Sequence, residues 1–307
     1  FFSFAASLAL FFLKKKKFDS VFVYQVGPLT QIIPALISKL FFRNKITIWI
    51  LDLWPFTVFG YGLKKNILTD FFLNLFCKIS YKFSDNILVS NEGFIQKINK
   101  YVPDKKIHFI PQWIPREINF DFKNYSMKFN NKKINFLFAG NIGKVQNLEN
   151  IITAFSDCNE EYVLNIVGHG SNISELKRLS KELGCQNIKF YGRVPFKEIS
   201  QWLLSADVLI ISLIDKLSFN LTVPAKFQAY LGALKPIFGV INGETANLIN
   251  SNKLGLTAHP SDINDIYEKI NTFNKVNSFY NLKSANKLLN DVYDFDKIVK
   301  RVTKILN

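Results

Sequence analysis

Asn135-Phe136-Leu137-Phe138-Ala139-Gly140-Asn141-Ile142-Gly143-Lys144-Val145-Gln146-Asn147-Leu148 decides how this chain is read. An apolar run free of Pro and Gly ends in two glycines three apart. The helical spacing Leu148, Ile151, Ile152, Phe155 follows at once. The pattern predicts strand, glycine loop, helix. Glycine lets the backbone approach a ligand closely, and a helix start offers unpaired N–H groups and a positive dipole end to an anion such as phosphate. Glycines also serve plain strand-to-helix geometry, so this one loop leaves both readings open.

The same rhythm extends both ways. Upstream, strands are expected at Ser20–Gln25, Ile46–Leu51, Asn86–Ser90 and Ile107–Ile110. Helices are expected at Gln31–Phe42, Leu63–Phe83 and Glu92–Lys100. Downstream, strands at Tyr162–Val167, Ile188–Tyr191, Val208–Leu213 and Pro236–Val240 alternate with helices at Ile173–Leu183, Phe196–Ser205 and Pro224–Leu234. An amphipathic helix, Asp294–Leu306, closes the chain. Strands alternating with helices imply α/β domains with parallel sheets covered on both faces. Between Pro111 and Lys133 the pattern fades into a polar stretch, the expected linker between two such domains.

At 307 residues, 48% hydrophobic and 21% charged, the chain can build sizeable cores and is not of the disordered class. Its net charge of +15 suits an anionic partner, although a lysine-rich solvated surface gives the same number. No helix-turn-helix, zinc-finger or RNP-like pattern accompanies the charge, so no nucleic-acid partner is expected. Cys77, Cys158 and Cys185 are too few and scattered for a disulfide framework or a zinc site. His108, His169 and His259 are equally isolated, so no metal is expected. Phe1–Leu13 is too short to span a bilayer, and the lysine run Lys14–Lys17 follows it rather than preceding it as in a signal peptide. A buried helix closed by lysines is expected there. The start without Met leads us to expect missing upstream sequence, including the first strands of the first domain.

Ligands of open α/β sheets bind at the carboxyl ends of strands. Gly140 and Gly143, Gly168 and Gly170, Gly192 and Gly243 all fall at such ends. Thr222-Val223-Pro224-Ala225-Lys226 sets a lysine at a helix start, where it would meet a diphosphate; the plain alternative is a surface lysine. Asp52, in Asp52-Leu53-Trp54-Pro55 just past a strand, would receive or orient a substrate hydroxyl, or else cap the next turn. Asp294-Phe295-Asp296 has the look of a metal-binding acid pair but opens a helix, where Asp is a routine cap.

Taken together, these motifs resemble glycosyltransferase family 4. Gly140-Asn141-Ile142-Gly143 with Gln146-Asn147-Leu148, Val167-Gly168-His169-Gly170, Tyr191-Gly192-Arg193-Val194-Pro195, Ala206-Asp207-Val208 and Pro224-Ala225-Lys226…Tyr230…Lys235-Pro236 carry the likeness in the second half. Asp52-Leu53-Trp54-Pro55 and Pro111-Gln112-Trp113 carry it in the first. Within the family the sequence resembles the subgroup of bacterial O-antigen, capsule and colanic-acid assembly, with its N-acetylfucosamine transferases. The resemblance implies a GT-B fold: two Rossmann-like domains facing a cleft, with the last helix crossing back to the first. The expected boundaries are 1–120 for the acceptor-side domain, 121–290 for the donor domain and 291–307 for the returning helix. It implies transfer, with retention and no bound cofactor or metal, of a sugar from a nucleotide diphosphate, here expected to be a UDP-sugar, to a lipid-linked saccharide acceptor. The setting would be cytoplasmic, peripheral at an anionic membrane surface on the inner face of the plasma membrane. Arg193 and Val194 would lie near the donor base, and Lys226 and the Gly140–Gly143 loop near the diphosphate. Asn141, Gly168, His169 and Thr222 complete the expected donor site, with Glu244 from a Gly-Glu motif. Asp52 and Lys226 are the expected catalytic pair.

The sequence also departs from the family. Asn141 and Gln146 stand where Arg and Lys are usual, and the glutamate pair would fall at Leu221 and Ala229. The N-terminal glycine-rich loop is missing. A non-catalytic donor-binding or scaffold subunit and a sugar-nucleotide 2-epimerase of the same fold are the alternatives.

Overall fold

The computed structural model describes residues 2–14, 18–103, 105–130 and 132–306. Lys15, Lys16 and Lys17 of the expected lysine cluster lie outside the described residues, and Lys14 ends a helix whose lysine side chain is not described. The chain forms two compact units. One runs up to Pro111 and takes in the residues from Ile298 on; the other is Gln112–Lys297.

The first unit contains α1 (Phe2–Lys14), β1 (Ser20–Gln25), α2 (Ile33–Phe42), β2 (Lys45–Ile50), α3 (Phe56–Gly60), α4 (Ile67–Phe83), β3 (Asn86–Val89), α5 (Gly93–Asn99) and β4 (Ile107–Phe109). Its four strands are parallel in the order β1-β2-β3-β4. In β2 every residue after Lys45 is buried, as a strand covered on both faces requires. Trp49 of β2 donates its indole N–H to the Ile110 carbonyl at 2.9 Å. The helix expected from Leu63 starts four residues later. Asn66 accepts from the Thr69 N–H at 2.8 Å while Thr69 Oγ1 accepts from the Asn66 N–H at 3.0 Å. This reciprocal cap fixes the first turn, and the apolar residues before it form α3 and its exit.

The second unit contains β5 (Ile134–Ala139), α6 (Leu148–Ser156), β6 (Tyr162–Val167), α7 (Ile173–Glu182), β7 (Ile188–Gly192), α8 (Ile199–Ser205), β8 (Val208–Ser212), α9 (Leu217–Asn220), α10 (Lys226–Gly232), β9 (Ile237–Val240), α11 (Glu244–Ser251), β10 (Gly255–Ala258), α12 (Ile263–Thr272) and α13 (Leu282–Val292). It also holds the start of α14 (Phe295–Leu306), the rest of which counts with the first unit. Six parallel strands run in the order β10-β9-β8-β5-β6-β7. Strand periodicity explains its two cores. Phe136 and Phe138 of β5, with Val208 and Ile210 of β8, face a layer holding Leu148, Ile151, Ile152 and Phe155 of α6. Leu137 and Ala139, with Leu209 and Ile211, face the opposite layer, which holds Leu203 of α8 and Phe227, Tyr230 and Leu231 of α10. Each fully buried Phe or Leu of this kind contributes about 1.5–3 kcal/mol.

The stretch after Pro111 is not a free linker. Phe129 is buried in the second unit's core, and Ile118 and Phe120 pack on it. Its apolar residues are spaced irregularly, so periodicity gave no sign of this packing. β10, α12 and α13 likewise add elements that the sequence pattern did not signal. Asp294 accepts from the Lys297 N–H at 2.8 Å and so caps α14, while Asp296 pairs with Arg116 at 3.3 Å. That accounts for both acids of the Asp294–Asp296 pair without a metal. Further along, Arg301 donates to the Phe109 carbonyl within the first unit.

Candidate functional site

In the second sheet the chain works outward from β5 through β6 to β7, then returns to β8 on the other side of β5 and continues to β9 and β10. The order therefore reverses between β5 and β8, and the carboxyl edge at that point is where an α/β sheet opens a crevice. The loops leaving β5, β6 and β7 are fastened together there. Gly140 N–H donates to the Val167 carbonyl at 3.0 Å, Ile142 N–H to His169 at 3.0 Å and Gly168 N–H to Gly192 at 2.7 Å. Gly168 has φ +139°, and a Cβ on it would run into the Gly140 carbonyl oxygen; a Cβ on Gly170 would run into that of Ile142. Here glycine is required because two backbones touch. Gly168→Ala is expected to lower stability by at least about 2 kcal/mol, through strain and displacement of the Gly140 loop. The midpoint of a urea unfolding curve measures it.

The first loop differs from the simple anion cradle in two ways. The Gly143 N–H already donates to Gln146 Oε1 at 2.8 Å, so this amide is not open to a phosphate. A short 3-10 turn, Lys144–Gln146, precedes α6, and the first turn of α6 carries Glu149, whose carboxylate accepts from Asn172 Nδ2 at 2.5 Å. The first turn of α6 thus already carries a negative side chain, which weakens its appeal to a further anion.

The cation is Lys226. Its Nζ is buried, with no hydrogen-bond partner among the described residues. It sits 3.6 Å from the centroid of the Phe138 ring, at the end of β5. A Cβ on Gly140 would stand 3.1 Å from it, so the amine lies directly against the Gly140 loop. Burial brings its pKa down from the usual lysine range to about 7. The ring face offers some cation–π attraction, but among the described residues no carboxylate forms an ion pair with the group. α10, which Lys226 opens, has only seven residues, so the lysine itself rather than the helix end is the principal electropositive feature. Tyr230 on α10 holds the arrangement in place. Its hydroxyl accepts from the Ala139 N–H at 2.9 Å and donates to the Ala139 carbonyl at 3.2 Å, locking α10 to the end of β5.

Gly140, Asn141, Gly143, Gly168, His169 and Lys226 thus belong to one fastened edge, with Asn141 and His169 exposed. Arg193 and Val194 follow in the loop after β7; Arg193 is exposed and Val194 packs against the core. Thr222 spends its hydroxyl on the Phe219 carbonyl at 2.8 Å, and its own carbonyl accepts from Thr245 at 2.8 Å. It shapes the loop before Lys226 and has no proton left for a ligand. Glu244 opens α11 directly after Gly243, whose Cβ would strike the Asn220 carbonyl. Sequence reasoning missed Phe138 as part of this site, and quoted Tyr230 and Gln146 as motif residues without the roles they have here. It also missed a polar cluster at the same edge, where Asp215 accepts from Asn220 at 2.7 Å and faces His259 Nε2 at 3.5 Å. Only the tertiary approach of β5, β8 and β10 brings these residues together.

Asp52 belongs to the first unit. It follows β2, is half-buried, and makes no hydrogen bond or ion pair among the described residues. α3 begins without a side-chain cap, so Asp52 does not serve as one. Burial pushes its carboxyl pKa above the usual range. The Tyr61 hydroxyl nearby is pushed up by burial and then by the Asp52 charge. Among the described residues no cluster of three His, Cys, Asp or Glu side chains could hold a metal ion.

With this geometry in hand, comparison with known proteins gives a consistent result. The family model described as Glycosyl transferases group 1 matches residues 120–291. The probable glycosyltransferase WbjE of Pseudomonas aeruginosa is 27% identical over 230 residues, covering 70% of this chain and 56% of its own length. The putative colanic acid biosynthesis glycosyl transferase WcaI of Escherichia coli K12 is 32% identical over 117 residues, 35% of this chain and 28% of its own. Among solved structures, Anabaena Alr3699/HepE in complex with UDP and glucose matches with a TM-score of 0.74 at 12% identity, over 98% of this chain and 80% of that one. At that identity the likeness shows the fold, which is the two-domain Rossmann-like GT-B class. The chain spans little more than half of WbjE, 56% of its length. A family model matching residues 120–291, over half of the chain, and the fastened glycine edge within that span lead to one statement: the chain belongs to the glycosyl transferases group 1 family.

Proposed function

We propose that the protein transfers a sugar, with retention, from a UDP-sugar to a lipid-linked saccharide in surface polysaccharide assembly, as in the N-acetylfucosamine-transferase-like subgroup. It would act on the inner face of the plasma membrane, without a bound metal. The observation that carries this reading is Lys226, a buried amine at the switch point of the second sheet with no hydrogen-bond partner among the described residues. A nucleoside diphosphate supplies an anion beside it, and its charge grows as the glycosidic bond breaks, so the lysine favours the transition state over the ground state. The Gly140 and Gly168 loops give the diphosphate close backbone approach, and the exposed Arg193 lies in the loop expected to meet the base. Asp52 of the first unit serves the acceptor hydroxyl. The relatives named above support a polysaccharide setting: WcaI is described as a colanic acid glycosyl transferase, and Alr3699/HepE was crystallised with UDP and glucose.

The test is transfer from a panel of UDP-, GDP- and dTDP-sugars to a lipid-linked acceptor, with nucleotide binding followed by calorimetry. UDP binding together with turnover of at least one UDP-sugar is expected. A second reading rests on Leu221 and buried Ala229, which stand where the family places its two glutamates. Under it the protein binds donor without turning it over, and UDP binding with no transfer from any donor would favour that subunit role. No binding of any nucleotide would refute both readings.

A further inference from the structure

Lys226 offers the fastened edge a partner for a diphosphate, but a nucleotide-sugar carries one further part. A donor of this kind is linear: base, ribose, diphosphate, sugar. On the proposed reading the base lies beside Arg193, after β7 at one end of the sheet, and the diphosphate beside Lys226, at the switch point between β5 and β8. Continued in the same direction, the donor brings its sugar to the carboxyl ends of β8, β9 and β10.

Those ends carry a polar cluster. Asp215 follows β8, Asn242 follows β9 and His259 follows β10. Asp215 Oδ1 accepts from Asn220 Nδ2 at 2.7 Å, and the Asn242 side chain bonds the same carboxylate. The bonds from Asn220 and then Asn242 hold its carboxyl below the usual carboxylate range, so it is ionised at neutral pH. Asp215 is the only acid between the end of β8 and the start of α10. Next to it, the Ile214 N–H donates to the Val145 carbonyl at 3.0 Å, which seats Asp215 beside the turn that follows the Gly140 loop.

His259 is held as firmly. Its backbone N–H donates to Asp265 Oδ2 at 2.8 Å, and its Nδ1 accepts from the Ser261 N–H at 3.2 Å. The neutral ring therefore carries its proton on Nε2, which lies 3.5 Å from Asp215 Oδ2. That separation is longer than a well-formed N–H···O bond. Both side chains reach solvent, Asp215 by 35% and His259 by 48%. An acceptor and a donor held side by side without closing on each other match a hydroxyl, which donates to the first and accepts from the second. A phosphate would meet the Asp215 charge, and among the described residues no three His, Cys, Asp or Glu side chains gather to hold a metal ion.

We infer that Asp215 and His259 form a subsite for a ring hydroxyl of the donor sugar, Asp215 accepting its O–H and His259 Nε2 donating to its oxygen. The subsite rests on the nucleotide-sugar reading and deepens it: the protein selects its donor by the sugar as well as by the nucleotide. Sites built to bond a hydroxyl reject the analogue that lacks it, because their polar groups are then left unpaired.

The test is calorimetry with UDP and with the UDP-sugar that the wild-type protein binds most tightly. Asp215→Asn, and separately His259→Ala, are expected to weaken UDP-sugar binding by at least about tenfold while UDP affinity holds within about twofold. UDP affinity also serves as the control for folding. His259→Gln keeps an N–H donor and should recover most of the loss. Among deoxy analogues of that UDP-sugar, one should bind wild type more weakly than the parent sugar and bind Asp215→Asn about equally. Parallel loss of UDP and UDP-sugar affinity would make the cluster a mere fastener of the loops and overturn the inference. Unchanged UDP-sugar affinity in both Asp215→Asn and His259→Ala would overturn it as well. Failure of the transferase reading shows differently, as wild-type protein that binds no nucleotide, and removes the subsite with it.

Discussion

Lys226→Met is expected to make the protein more stable and nearly inactive. The amine is buried beside Phe138 and Gly140 with no hydrogen-bond partner among the described residues, and burial has brought its pKa to about 7. Methionine fills nearly the same volume without asking a charge to leave water. We expect a gain of about 1–3 kcal/mol, or a few degrees in melting temperature. The sign has a pH signature. Since the folded pKa lies below the unfolded one, the unfolded chain binds more protons between about 7 and the ordinary lysine value, 10.5, and wild-type stability rises with pH across that window. The penalty is full below the window and gone above it. The advantage of the methionine variant should therefore be greatest near pH 6 and vanish near pH 11. Activity moves the other way. Loss of one donor aimed at developing negative charge costs about 2.7–4 kcal/mol, roughly a hundred- to thousandfold in turnover. Calorimetry adds a third reading. A diphosphate beside Nζ pulls the amine's pKa back up, so UDP binding at pH 8 should take up a proton in wild type and none in the variant. Wild-type turnover and UDP affinity in Lys226→Met would return the residue to the role of an ordinary first-turn lysine.

The parts of this molecule that were legible in its sequence are those set by short-range pattern. β5 and its loop could be read because a strand buried on both faces is a continuous apolar run, and because Gly140 and Gly168 stand where backbones touch. Lys226 was legible as a position in a motif. Its environment was not, because Phe138 is nearly ninety residues upstream and meets it only when β5 and α10 pack. Gln146 shows the opposite case. A glycine loop before a helix left an anion cradle and plain turn geometry both open, and only the structure shows that a side chain three residues on already holds the Gly143 amide. The segment after Pro111 failed for another reason. Ile118, Phe120 and Phe129 pack with no regular spacing, and irregular packing leaves no period to detect.

Asp52→Asn is expected to lower kcat by about a hundredfold or more while leaving UDP affinity unchanged. The carboxyl follows β2, is half-buried, caps no helix and makes no hydrogen bond or ion pair among the described residues, an arrangement that suits a base for an acceptor hydroxyl better than a structural acid. Removing a positioned general base typically costs 10²–10⁴-fold, and asparagine keeps the shape while losing the proton-accepting charge (about 2.7 kcal/mol at the lower end). Burial has raised the carboxyl's pKa, so the group must lose its proton before it can work. Wild-type kcat should therefore fall with decreasing pH through that raised pKa, a limb lying above the ordinary carboxylate range. Asp52→Asn should lack this limb. Stability should respond in the opposite sense. The folded state holds the Asp52 proton more tightly than the unfolded chain, so wild type loses some stability as pH rises from the ordinary carboxylate value through the raised one, and the asparagine variant does not. Transfer to a soluble acceptor analogue, measured against pH for both proteins, separates this role from any membrane effect. A variant with wild-type kcat and the same acid limb would remove Asp52 from the chemistry and assign the limb to another group.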